Sequence, residues 1–182
     1  MDFERVIVTL AERFEQQQVR YAVMGGFALG VLGVPRATMD LDFLVHGEDL
    51  GRIERMLREL GYLRHAQTPN VSHYRHQDSA WGILDLIHAM RPSSLSMLTR
   101  TKVVPIFDGR CTIRVLCPED VIGFKVQGMA NDPLWLARET ADIELLAARH
   151  GKDLDWPRVE AYYAMFNMPE EGQRLRRQFG HV

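Results

Sequence analysis

Apolar positions recur at helical spacing from the start of the chain. Phe3, Val6, Ile7, Leu10 and Phe14 fall on one face of a helix predicted over residues 3–17. "VRYAVMGG" then reads as a short strand stopping at the glycine pair Gly25–Gly26, and "FALGVLG" as a brief apolar helix closed by Gly33 and Pro35. "TMDLDFLV" alternates, sending Met39, Leu41, Phe43 and Val45 to one face of a strand and Asp40 and Asp42 to the other. "EDLGRIERMLRELG" is a helix stopped at Gly61. "NVSHYRHQDS" and "WGILDLIHAM" predict two strands, and residues 91–110 read as a loop with short ordered pieces. "CTIRVLC" is a strand, and Pro118 with Glu119 opens the helix "PEDVIGFKVQGMA". "LWLARETADIELLAARHG" is a further helix, Pro157 fits the first turn of a later one, and "RLRRQFGHV" reads as a basic solvated tail.

This order of elements predicts an α+β (α/β-like) fold, a small mixed sheet flanked by helices with a helical C-terminal part. The division falls between 1–117, a core, and 118–182, a helical region packed on it. "VLCPEDVIGFK" has no linker composition, so a single domain is the other reading.

Composition narrows the function classes. A chain of 182 residues with 46% hydrophobic and 25% charged residues can build a packed core. A formal charge of −2 gives no global attraction to nucleic acid or to an anionic membrane, so such contacts would need a local patch. No apolar run approaches the roughly 20 residues that span a bilayer, and the acidic, amphipathic start is unlike a signal peptide. Cys111 and Cys117 form no CxxC pair and read as buried free thiols, which suits a cytoplasmic location.

The chemistry centres on three acids. Side chains two apart on a strand share a face, so Asp40 and Asp42 converge, and carboxylates that close repel unless a cation or proton lies between them. A hard divalent ion, Mg²⁺ (or Mn²⁺), is the natural occupant of an all-oxygen site. Asp85, on a strand face with Ile83 and Ile87, is the obvious third member. Gly25–Gly26 lets backbone N–H groups approach phosphate oxygens closely. Arg36 and Thr38 precede the acids, Arg36 as a contact for phosphate or acceptor, and Thr38 as a strand-entry residue that could also touch the nucleotide. Other polar features take plainer readings. His73 and His76 face opposite ways on a strand and cannot both ligate one ion, so they read as surface residues. His88 faces away from Asp85. Arg52, Arg55 and Arg58 are interleaved with Glu54 and Glu59, a solvated face.

Gly25–Gly26, thirteen residues and then Asp40-Leu41-Asp42 resembles the first motif of the DNA polymerase β-like nucleotidyltransferase superfamily. "PRATMDLDFLV" is similar to its abortive-infection (AbiEii-like) toxin branch and to small antibiotic nucleotidyltransferases. "LCPEDVIGFKVQGM" resembles the helix bearing a lysine, here Lys125, and "RETADIELL" the helix with a late aspartate, here Asp142, so the resemblance spans residues 20–148. It implies nucleotidyltransferase topology and transfer of an NMP from an NTP, with release of pyrophosphate, to a hydroxyl of RNA, protein or a small molecule. It implies phosphates on Gly25 and Gly26, metal on Asp40 and Asp42, and Asp85 as third carboxylate and base. Lys125 would neutralise triphosphate charge with Asp142 as its orienting partner. The toxin branch adds a possible cognate antitoxin as partner. Two departures stand out: Gly26 where serine is usual, and Arg138-Glu139 where related toxins carry Lys-Asp. They motivate the alternative of an inactive nucleotide-binding or partner-binding module, or a neutralising partner in a toxin–antitoxin pair.

Overall fold

A computed structural model describes residues 1–181. The chain divides into two compact units, residues 1–31 with 36–116, and residues 32–35 with the segment from Cys117 onward.

In the first unit, α1 (Phe3–Gln16) starts where the Asp2 carboxylate accepts from the Arg5 N–H, and buries Val6, Ile7, Leu10, Ala11 and Phe14. Its Phe14 ring packs on Tyr21 of β1 (Tyr21–Met24), with centroids 4.7 Å apart. Helix α2 (Gly25–Val31) follows directly, then β2 (Asp40–His46), a 3₁₀ turn over 47–49 and α3 (Leu50–Glu59). Phe14 also meets Phe43 of β2 edge-on, so the alternating apolar face of β2 packs under α1. Leu41, Phe43 and Val45 are fully buried, whereas Met39 lies outside the strand and is exposed. Strands β3 (Tyr62–Gln67), β4 (Val71–His76) and β5 (Ile83–Ala89) come next, then α4 (Pro92–Thr99), β6 (Lys102–Ile106) and β7 (Cys111–Val115).

These strands form one seven-stranded mixed sheet in the order β3-β4-β5-β2-β1-β7-β6. The pairs β2–β5 and β1–β7 are parallel and the others antiparallel. The sheet is larger than the alternation predicts, because the added strands lie at its edges. Only Tyr62 of β3 is buried, so no apolar face marks it, and a register shift between Arg64 and Ala66 interrupts its ladder. β6 carries Pro105, which an edge strand tolerates because one side needs no N–H donors. The segment predicted as a loop over 91–110 therefore holds a helix and a strand. Helix α4 buries only Met97, too little for a periodic signal.

Just past β2 lies Asp49, fully buried. Its carboxylate accepts from the Arg20 backbone N–H, from Arg20 Nε and Nη2 at 2.9 Å each, and from Arg52. Burial alone would push this carboxyl up, but the donors from Arg20 and Arg52 outweigh it and hold it well below the usual carboxylate range.

The second unit contains α5 (Pro118–Asn131), α6 (Leu136–His150), α7 (Trp156–Met165) and α8 (Pro169–Phe179). Residues 174–179 of the stretch read as a basic tail belong to α8, which has Pro in its first turn and buries Leu175 while its arginines stay exposed, and Val182 lies outside the described residues. Gly123 lets α5 meet α7 closely, since a Cβ there would lie 2.9 Å from the Tyr162 ring, and Tyr162 donates its hydroxyl to Asp120 at 2.6 Å. Cys111 and Cys117 are free and buried; burial pushes both thiols up, Cys117 to about 12 with Asp120 adding to the effect. No helix among the described residues is long and apolar enough to cross a membrane.

Candidate active site

Strand β1 ends at Met24, and its antiparallel partner in the ladder is Asp42, so the glycines that follow open beside the acids of β2. Gly25 has φ +65°, a conformation that L side chains rarely adopt. A Cβ on it would lie 1.8 Å from Asp42 Oδ2, so the carboxylate occupies the space a side chain would take. Glycine at 25 is therefore required twice, by the turn and by Asp42. Gly26 has a different neighbour. A Cβ there would lie 2.7 Å from Thr38 Cβ and 2.8 Å from its Oγ1. Thr38 thus fills the position that a serine at 26 would claim, and its hydroxyl donates to Asp40 Oδ1 at 2.7 Å. A hydroxyl is present at this turn after all, supplied from the strand entry.

The third acid arrives through topology. In the parallel β2–β5 ladder Asp42 is the register partner of Asp85. Asp40, Asp42 and Asp85 each offer one carboxylate oxygen, and these oxygens lie within 4.8 Å of one another. All three residues are half-buried. Three oxygen donors of like charge at this spacing fit a hard divalent cation.

His73 belongs to the cluster as well, although the sequence suggests only a surface residue. It is the register partner of Asp85 in the β4–β5 ladder, and its Nδ1 lies 2.7 Å from Asp85 Oδ1. His76 faces elsewhere, with Nε2 at 3.1 Å from the Leu60 carbonyl. His88 lies on the opposite, buried face of β5, bonded to Ser72 Oγ at 2.8 Å. Of the arginine stripe, Arg52 ties to Asp49 and to the Gln17 carbonyl, and Arg58 pairs with Glu54.

Arg36 is half-buried and, with Gly26 and Thr38, lines a cavity of about 590 Å³ whose other walls include Phe27, Val104 and Phe107. In the second unit, Lys125 is buried on α5 and donates to Asp142 Oδ2 at 2.6 Å and to Glu139 Oε2 at 2.7 Å, both on α6. The lysine and the late aspartate read from the sequence are thus direct partners, and Glu139 of the altered Arg138-Glu139 pair is the third member.

A family model described as "uncharacterised nucleotidyltransferase" matches residues 3–168. Curated proteins give no match. Among solved structures, ANT(2'')-Ia in complex with adenylyl-2''-tobramycin superposes with a TM-score of 0.67 at 18% identity, over 90% of this chain and 97% of that one. The lincomycin-bound lincosamide antibiotic adenylyltransferase LnuA gives 0.60 at 16% identity, over 80% and 97%. An antigenic nucleotidyltransferase-like protein from Paracoccidioides brasiliensis gives 0.60 at 16% identity, over 96% and 92%. At such identities these likenesses show the fold.

Proposed function

The chain belongs to the nucleotidyltransferase family whose model spans residues 3–168, and from that premise we propose a metal-dependent enzyme that moves an NMP from an NTP to an acceptor hydroxyl. The observation that carries this reading is the meeting of Asp40, Asp42 and Asp85 within 4.8 Å, beside a glycine turn shaped around Asp42.

In this reading the triphosphate lies along Gly25–Gly26, neither of which carries a side chain of its own. Arg36 adds a positive charge at the same turn, and Thr38 keeps Asp40 in place through its hydroxyl. Asp40, Asp42 and Asp85 hold Mg²⁺ or Mn²⁺, which when bound supplies the positive charge that phosphate oxygens and carboxylates share. Asp85 receives the proton of the acceptor hydroxyl as its oxygen attacks the α-phosphorus. The α–β phosphoanhydride bond breaks and pyrophosphate leaves. Positioning and charge neutralisation dominate such a transfer, so a small set of fixed carboxylates and donors suffices.

The antibiotic adenylyltransferases among the structural neighbours support a small hydroxylated molecule as acceptor. The test supplies α-labelled NTPs and Mg²⁺ with a panel of hydroxylated antibiotics and, separately, with cell extract. Label in a small molecule supports the proposal. Label in RNA or protein, with growth arrest on expression that Asp42→Ala abolishes, shifts the acceptor to that of a toxin with a cognate antitoxin. No transfer with any NTP, or undiminished transfer by Asp40→Ala, overturns the enzymatic reading and leaves a nucleotide-binding module.

A further inference from the structure

His73 has no part in the steps above, yet it is built into the acidic cluster. It stands opposite Asp85 in the β4–β5 ladder, and Asp85 stands opposite Asp42 in the β5–β2 ladder. The three side chains therefore form one row across three neighbouring strands. An ionised carboxylate only accepts hydrogen bonds, so in the 2.7 Å contact His73 Nδ1 carries the hydrogen and donates to Asp85 Oδ1.

Carboxylates gathered within 4.8 Å repel one another, and rotation about χ2 of an aspartate is soft, so an untethered acid would swing away from the group. Each acid has its own restraint. Thr38 donates to Asp40 at 2.7 Å, and Asp42 packs against the bare Cα of Gly25. His73 supplies the equivalent for Asp85. We propose that His73 is a positioning residue: its Nδ1–H fixes the rotation of the Asp85 carboxylate and keeps it aimed at Asp40 and Asp42. The inference rests on the reading of this cluster as a divalent-cation site. A donor behind a metal-ligating carboxylate typically changes metal affinity by about 10–100-fold, and that is the effect expected of His73.

The test is Mn²⁺ binding to the full chain by calorimetry, with a thermal melt of each variant. The side chain of His73 is 41% exposed, so its replacement leaves the fold in place. His73→Ala is expected to weaken Mn²⁺ binding by about 10–100-fold at an unchanged melting temperature. His73→Asn, whose side-chain amide can donate from near the Nδ1 position, is expected to restore most of the affinity. Asp85→Asn is expected to weaken binding at least as much as His73→Ala. Wild-type affinity in His73→Ala, or a loss in His73→Asn as large as in His73→Ala, overturns the proposal. Wild-type affinity in Asp85→Asn also overturns it while leaving Asp40 and Asp42 as the site. A wild-type chain that binds no Mn²⁺ removes the cation-site reading and this proposal together.

Discussion

Strand β2 runs between two carboxylate sites that the fold treats in different ways. Past its C-terminal end, Asp49 is fully buried and meets two guanidiniums and a backbone N–H. At its N-terminal end, Asp40, Asp42 and Asp85 are half-buried and gather three carboxylates within 4.8 Å, with the Thr38 hydroxyl and the His73 imidazole as hydrogen-bond partners. At Asp49 the charge is matched within the chain, so the site belongs to stability. In the acidic cluster three carboxylates crowd together, and in the proposed function that crowding serves binding. What differs is the setting: Asp49 is shut inside against two arginines, whereas the three acids of the cluster crowd together half-exposed.

The contrast is easiest to break by neutralising one acid at each end. Asp42→Asn is expected to lower nucleotidyl transfer by about 1,000-fold or more, because charge stabilisation at the reacting phosphate depends on the cluster. Its melting temperature should fall less than that of Asp49→Asn, since Asp42 is half-buried where Asp49 is fully buried. Asp49→Asn should retain full activity per folded molecule. A loss of activity in Asp49→Asn without a loss of stability would erase the distinction.

Next in size is the stability effect at the other end. Asp49→Asn leaves two guanidiniums without their shared carboxylate. A broken buried pair costs about 3 kcal/mol, the low end of the usual range because both arginines are nearly half exposed. For a chain of this length that is a fall in Tm of roughly 6–12 °C. The pH dependence has a definite sign. Asp49 is depressed in the folded state, so its contribution is complete above the unfolded carboxylate value of about 4 and is lost as pH falls through the lower folded value. Urea midpoints against pH should show the gap between wild type and Asp49→Asn closing only below about pH 4.

The smallest effect sharpens the glycine turn. Gly26→Ser pushes a Cβ against Thr38 and should cost about 1–3 kcal/mol. Combining it with Thr38→Ala should recover part of that loss, and a double-mutant cycle on Tm measures the coupling. Additive losses would show that Thr38 does not fill the serine position.

Much of this site was legible along the chain because its signals are local. The two-residue spacing of Asp40 and Asp42 and the glycines before them need only the period of a strand and a turn. Asp85 could be named from its strand face, but its pairing with Asp42 is set by the sheet order, which places β5 beside β2. His73 escaped for a related reason. Compared only with His76 it faces the wrong way for a shared ion, and its true partner lies across a hairpin. The pairs from Val71–Ile87 to Arg75–Ile83 are all centred on Ser79. Reading "QDSAWG" as the turn of that hairpin would have set His73 opposite Asp85. β3, β6 and α8 stayed hidden because each buries one or two large side chains at most, so no periodic apolar signal marks them.

In the proposed function the acidic cluster and the glycine turn are two halves of one nucleotide site. Its most direct test is a crystal of the chain grown with Mn²⁺ and a non-hydrolysable NTP, measured at the manganese edge. The expected result is an anomalous peak about 2.1 Å from oxygens of Asp40, Asp42 and Asp85, with the phosphates against Gly25 and Gly26. Manganese bound elsewhere, or phosphates held away from the glycines, would contradict it.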